Sequence, residues 1–79
     1  MITSGEAKSI AQKHFPNAEL LQAFVYKIQL YIFEIYEGKP SYDSPYFAVR
    51  MSDGAYRPFC ATEDLNGFFN AMRKNQIEV

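Results

Sequence analysis

The sequence predicts a small α+β protein in which a helix, an antiparallel meander of three to four strands and a second helix follow one another (α-β-β-β-β-α). Three observations support this: helical spacing of apolar residues near the start, a β-branched and aromatic middle, and helical spacing again near the end. With 79 residues, the chain has room for a single domain spanning residues 1–79.

The first helix is predicted from a capping box and an apolar stripe. The Thr3 hydroxyl and the Glu6 carboxylate, three residues apart, can satisfy backbone N–H groups at a helix start. Pro16 should end the helix. The stripe expected to pack on the sheet consists of Ala7, Ile10, Ala11, His14 and Phe15.

Residues 20–37 read as strand throughout, because they are rich in β-branched and aromatic side chains and lack Gly and Pro. Eighteen residues exceed one ordinary strand, so we expect a hairpin turning near Lys27, Ile28 and Gln29, with one long bent strand as the alternative. Residues 38–45 are dense in turn formers and predict a loop. Residues 46–51 predict the next strand.

Asp53 and Gly54 predict a two-residue hairpin turn into a strand at residues 55–60. Pro58 cannot donate to a ladder, which places this strand at a sheet edge. Thr62 is predicted to cap the second helix, and Asn75 to end it. Its apolar stripe is expected to comprise Leu65, Phe68, Phe69 and Met72.

Two stretches of the chain resemble known groups of proteins. The first two-thirds resembles PepSY domains through Thr3, Glu6, Ala7, Ile10, Ala11, Phe15, Pro16, Asn17, Ala18, Asp53 and Gly54. The last third resembles small uncharacterised phage and prophage proteins through Pro45, Tyr46, Phe47, Ala48, Val49, Gly54, Arg57, Pro58, Phe59, Glu63, Asp64, Leu65, Phe68 and Phe69. The PepSY likeness implies a helix followed by an antiparallel meander and a role in regulating peptidases. PepSY domains are usually secreted or membrane-attached, whereas this sequence shows no secretory signal and adds a C-terminal helix.

The charge and the cysteine content limit which binding partners and which cellular compartment the sequence predicts. Eight basic and nine acidic residues give a net charge of -1 without clusters, so nucleic acid is not the expected partner. A weak nucleic-acid binder would need its scattered lysines to lie together on one surface. These are Lys8, Lys13, Lys27 and Lys39. The lone Cys60 excludes an intramolecular disulfide, and no basic, apolar leader is present, so we expect a cytoplasmic protein without membrane attachment.

The sequence offers little for catalysis, metal or cofactor binding. His14 is the one histidine and is interpreted as a boundary residue of the first helix, and Cys60 as a small buried side chain. The four glycines are isolated, which excludes a glycine-rich phosphate loop. We therefore expect no enzyme activity, catalytic residue, metal, cofactor or small-molecule substrate.

The strand around Tyr31, Phe33 and Tyr36 is apolar on both faces, whereas a sheet covered on one side alternates apolar with polar residues. If both helices cover the same face, the other carries an aromatic patch for a protein partner or a second copy. If the helices lie on opposite faces, both faces are covered. Tyr42 and Tyr46 add aromatic contact area near the loop.

Gly67 lies within the second helix, where glycine is unfavourable, and is a candidate for close approach by another backbone. Together these features predict a noncatalytic protein-interaction module of phage or prophage type that modulates a host or phage protein, alone or as a homodimer. The predicted protein-binding residues are Tyr31, Phe33, Tyr36, Tyr42, Tyr46 and Gly67. The alternatives are a PepSY-like peptidase inhibitor or regulator and a weak nucleic-acid binder.

Overall fold

A five-stranded antiparallel sheet with one helix on each face forms the protein. The structure, a computed structural model, describes residues 1–36, 38, 46–60, 62 and 64–78. Its elements are α1 Ser4–His14, β1 Glu19–Tyr26, β2 Leu30–Tyr36, β3 Tyr46–Arg50, β4 Tyr56–Phe59, α2 Leu65–Lys74 and β5 Gln76–Ile77. The predicted α+β class and the order of two helices around four strands are confirmed, and the short β5 is an addition.

The strands lie in the order β4-β3-β2-β1-β5, so the first four form a simple meander. Ala23 pairs with Phe33 across β1 and β2, and the register shifts by one residue between Leu20 and Gln22. On its other side Ala23 pairs with Ile77, which brings the C-terminal β5 against the first strand. Two residues are too short a run for a strand pattern, which is why the sequence does not predict β5.

The capping box at the start of α1 is confirmed. The Thr3 N–H donates to Glu6 Oε1 at 3.1 Å, and the Glu6 N–H donates to Thr3 Oγ1 at 3.1 Å. The helix ends as predicted just before Pro16, with the Phe15 N–H donating to the Ala11 carbonyl at 3.0 Å. None of the helices that the structure describes is long and apolar enough to span a bilayer.

The two helices cover opposite faces of the sheet, which resolves the two alternatives left open by the sequence. Consecutive residues of a strand point to opposite faces. One core cluster lies under α1 and contains Ala7, Ala11, Ala23, Tyr31, Phe33, Ile35, Phe47, Val49 and Met51. The other lies under α2 and contains Phe24, Tyr26, Ile32, Ala48, Phe59, Phe68 and Ala71. The strand β2 is therefore apolar on both faces because both are covered within the chain.

The N-terminus of α2 differs from the prediction. Asp64, not Thr62, is the capping residue, and its side chain accepts a hydrogen bond from the Gly67 N–H at 3.2 Å. Both residue types cap helices well, so the choice depends on tertiary contacts of Asp64 described below. The predicted end at Asn75 is confirmed, since its N–H donates to the Ala71 carbonyl.

The predicted hairpin between β1 and β2 is confirmed, and its turn has an unusual backbone. The Gln29 N–H donates to the Tyr26 carbonyl at 3.1 Å. Lys27 and Ile28 between them have φ of 54° and 53°, the signs of a type I′ turn. Such turns favour Asn and Gly, and a β-branched residue at positive φ is rare.

The turn between β3 and β4 is longer than the two residues predicted. The Arg50 N–H donates to the Ala55 carbonyl at 2.7 Å and the Gly54 N–H to the Arg50 carbonyl at 2.8 Å, which encloses four residues. Among the described non-glycine residues, positive φ occurs at Lys27 and Ile28, so Asp53 does not adopt it. Gly54, at φ 76°, alone supplies the left-handed conformation in this turn.

The prediction that Pro58 lies on an edge strand is also confirmed, because β4 is the last strand of the sheet. Hydrogen-bonded and non-bonded pairs alternate along an antiparallel ladder. Counting from the bonded pair Arg50–Ala55, the pair Phe47–Pro58 falls at a non-bonded position. The missing N–H of Pro58 therefore removes no ladder bond and leaves the outer edge one donor short.

Candidate functional site

Tyr31 and Phe33, two of the predicted binding residues, lie in the core and not on an open face. Tyr31 is 9% exposed and Phe33 is 1% exposed. Both pack beneath α1, and the Tyr31 hydroxyl donates to the Ile2 carbonyl at 3.2 Å. The prediction of an exposed aromatic face at these residues is wrong, since α1 covers the face that α2 leaves free.

The other predicted tyrosines do not form one surface with them. Tyr36 is 47% exposed at the end of β2. Tyr46 is partly buried, with its ring 4.6 Å from that of Phe68, and burial, followed by the nearby Glu34 carboxylate, raises its pKa. Tyr42 lies outside the described residues.

Gly67 has a structural role at the start of α2. A Cβ atom added at Gly67 would collide with the Asp64 carboxylate, which accepts the Gly67 N–H. The same carboxylate accepts the Tyr26 hydroxyl at 2.7 Å and lies 3.6 Å from Lys27 Nζ. Glycine thus leaves room for the side chain that joins α2 to the β1–β2 turn, and backbone approach by a partner is not needed to explain it.

Gly67→Ala tests this role, because alanine normally stabilises a helix interior relative to glycine. Here we expect the opposite: the new methyl group should displace the Asp64 carboxylate and lower Tm by about 4 to 8 °C. Thermal unfolding followed by circular dichroism measures the change. Asn70→Ala, at an exposed position of the same helix, is the control and should leave Tm unchanged or slightly raised. An equal increase in both variants would contradict the assigned role.

The lowered pKa values of two aspartates indicate that the folded protein loses stability in acid. Hydrogen bonds from Arg50 and from the Ala55 N–H lower the pKa of Asp53 from 3.8 to about 2. The Tyr26 hydroxyl, followed by the Gly67 N–H, lowers the pKa of Asp64. Because the folded-state pKa of each lies below its unfolded value, each contribution is present above the unfolded pKa and is lost in acid; that of Asp53 is complete above pH 3.8 and disappears as the pH falls toward about 2.

The measurement is the Tm as a function of pH, from neutral pH down to about pH 2. Asp53→Asn cannot titrate at this position, so its Tm should fall less steeply below pH 3.8 than that of the wild type. Superimposable profiles would exclude Asp53 as a source of the acid sensitivity.

The histidine is an exposed residue whose ring packs against the core residue Phe47, in agreement with its interpretation as a boundary residue, whereas the cysteine does not have the environment expected from the sequence. His14 is exposed and its ring lies 3.8 Å from that of Tyr56. Cys60 is also exposed, with its Sγ 2.7 Å from Thr62 Oγ1, so the prediction of a buried thiol is wrong. These contacts do not pair a base with a nucleophile. Within the described part of the chain, no group of three His, Cys, Asp or Glu side chains could hold a metal ion.

An apolar surface that the sequence did not predict lies along one side of α2. Leu65, Phe69 and Met72 follow the spacing i, i+4 and i+7, which places them on one side of the helix, and we call them the α2 flank. Leu65 and Phe69 are each 49% exposed, whereas Met72 is partly buried against the core and the neighbouring Phe68 is completely buried. The sequence assigned all of them to a buried stripe because it cannot show how far a helix is rotated on its sheet.

A series of ring contacts through Phe68 connects the α2 flank to the core. The Phe69 ring lies 5.6 Å from that of Phe68, which in turn packs edge-on against Phe24 at 5.2 Å. On the sheet side, Phe68 stacks on Phe59 at 5.7 Å. The helix that carries the exposed side chains is therefore fixed on the sheet by a cluster of aromatic residues.

Comparison of the chain with protein-family models, curated proteins and solved structures finds no match.

Proposed function

We propose that the protein is a noncatalytic protein-interaction module that binds a protein partner through the α2 flank. The observation that supports this proposal is the half exposure of both Leu65 and Phe69 on one side of a short helix. Single exposed apolar residues are ordinary, but large neighbouring ones are typical of interaction surfaces. Aromatic and Met side chains, both present here, are enriched in protein interfaces.

Rigid attachment of α2 favours binding at this surface. Phe68 anchors the helix from below, and the Asp64 cap fixes its first turn to Tyr26. A surface already held in place loses little conformational entropy when it binds. Arg73 and Lys74, exposed in the last turn, add positive charge at one end of the flank and favour a partner with an acidic rim.

The test compares two charge substitutions at consecutive positions of α2, one within the α2 flank and one outside it. Phe69→Asp places a carboxylate in the α2 flank, while Asn70→Asp places the same group on an exposed position outside it. Each tagged variant is used to capture proteins from a lysate of the cells that carry the gene. Any captured protein is then purified and its binding to the wild type and both variants is measured by calorimetry.

We expect purified partner to bind the wild type and Asn70→Asp equally and to bind Phe69→Asp at least tenfold more weakly. Circular dichroism must show that both variants are folded. A partner that binds all three equally would exclude the α2 flank. The salt dependence of binding addresses the nucleic-acid alternative, because phosphate binding weakens steeply with salt. A captured peptidase would support the PepSY-like alternative.

A further inference from the structure

The exposed side of α2 carries two neighbouring ridges that differ in their chemistry. Side chains four residues apart line up along a helix and form such ridges. One ridge consists of Leu65, Phe69 and Arg73. The ridge beside it consists of Asn66, Asn70 and Lys74. All six residues are exposed, so the two large apolar residues of the α2 flank are followed on their own ridge by an exposed arginine.

The positive charge of Arg73 is not neutralised within the part of the chain that the structure describes. The ion pairs found there involve Lys27 and Arg50, and neither includes Arg73. The helix itself, Leu65–Lys74, contains no Asp or Glu. Asp64 lies at the opposite end of α2, about 13 Å away along the helix axis. The guanidinium can therefore pair with a carboxylate from another molecule.

We propose that the α2 flank binds an amphipathic helix of its partner, and that an Asp or Glu one turn beyond the apolar residues of this helix pairs with Arg73. The inference rests on the proposed function and names the chemistry of the partner. A ridge of residues four apart fits the groove between the corresponding ridges of a second helix. Arginine binds a carboxylate through two parallel hydrogen bonds, which fixes the orientation of the incoming helix.

The apolar neighbours of Arg73 make this charge selective. Phe69 lies one turn before it on the same ridge, and Met72 precedes it directly. A helix that covers Phe69 also removes water from one side of the guanidinium, and an ion pair is stronger where the dielectric constant is lower. A helix without a carboxylate would leave the arginine partly buried and unpaired, which is unfavourable. Arg73 thus discriminates against apolar partners that lack an acidic residue.

A second copy of this chain does not supply the required carboxylate. In a two-fold contact centred on Phe69, antiparallel α2 helices would place Arg73 of each copy beside Leu65 of the other. Asp64 precedes Leu65, but its carboxylate already accepts the Tyr26 hydroxyl at 2.7 Å. The charges therefore favour a different protein as the partner of the α2 flank.

Selection from a library of random peptides of about 20 residues, long enough for several helical turns, tests the proposal. Peptides that bind the wild type are retained, and those that also bind Phe69→Ser are removed. This variant removes the ring without adding a charge, so the remaining peptides recognise the α2 flank. We expect them to carry apolar residues at helical spacing with Asp or Glu enriched beside them. Peptides that lack either feature would overturn the proposal.

Charge reversal on the two ridges then separates Arg73 from general electrostatic attraction. Arg73→Glu and Lys74→Glu change the charge equally in the last turn of α2, so both lose the same favourable interaction with the helix dipole. Calorimetry at about 0.15 M salt, where charges more than about 8 Å apart are largely screened, measures the binding of a selected peptide. We expect a loss of about fivefold or more in Arg73→Glu and of less than about twofold in Lys74→Glu. Equal losses in two folded variants would overturn the pairing with Arg73.

An exchange of charges gives a second readout. A selected peptide whose Asp and Glu residues are replaced by Lys should bind Arg73→Glu more tightly than the wild type, and the opposite preference would contradict a direct pair. The two proposals can fail separately. An absence of peptides that distinguish the wild type from Phe69→Ser would exclude the α2 flank itself. Flank-specific peptides that bind Arg73→Glu as tightly as the wild type would exclude only the acidic partner helix.

Discussion

Phe33→Asp should leave the protein unfolded at 25 °C. Phe33 is 1% exposed beneath α1, and removing a buried Phe side chain typically costs about 3 to 5 kcal/mol. An aspartate there also places a carboxylate in an apolar environment, which costs several kcal/mol more or forces its protonation. Because 79 residues correspond to a total stability of roughly 4 to 12 kcal/mol, the combined loss is sufficient to unfold the chain.

Circular dichroism and the dispersion of the amide NMR spectrum measure this outcome. Tyr36→Asp introduces the same group three residues later on β2, where the side chain is 47% exposed, and should remain folded. A folded, cooperative Phe33→Asp protein would mean that α1 does not cover this face in solution. The open aromatic face expected from the sequence would then be restored.

Phe68→Ala should lower the free energy of unfolding by about 3 to 5 kcal/mol. Phe68 is completely buried, and its ring contacts those of Phe24, Tyr46 and Phe59. Alanine would leave a cavity among three other aromatic rings that cannot collapse into it without moving α2. Urea denaturation measures the loss, with the m-value as a check on two-state behaviour.

Phe69→Ala is the matched control for this substitution. It removes the same side chain from the next position of α2, where 49% of the residue is already exposed. We expect a loss below about 1.5 kcal/mol, because less apolar surface returns to water. Similar losses in the two variants would show that α2 is rotated on the sheet relative to the structure described here, and would remove the basis for the α2 flank.

The elements that local chemistry determines could be predicted from the sequence. The box formed by Thr3 and Glu6 begins α1, and Pro16 follows its end, because capping and chain termination act within one helical turn. Pro58 identifies an edge strand because its missing N–H is a property of one residue. The hairpin could be predicted from strand length alone.

Features that depend on distant contacts could not be predicted. Period-two alternation shows that both faces of β2 are apolar, but it does not show which helix covers which face. Asp64 replaces Thr62 as the cap because Tyr26 and Lys27 reach it from the sheet. Exposure of Phe69 depends on the rotation of α2, which Phe68 and Ala71 determine from the other side of the helix.

The order of strands also bears on how quickly the chain can fold. Each of the pairs β1–β2, β2–β3 and β3–β4 joins segments that follow one another in sequence, so these contacts close short loops at a small entropic cost. Pairing of Ala23 with Ile77 instead joins the two ends of the chain. The hairpins of the meander should therefore form first, and β5 should join after them.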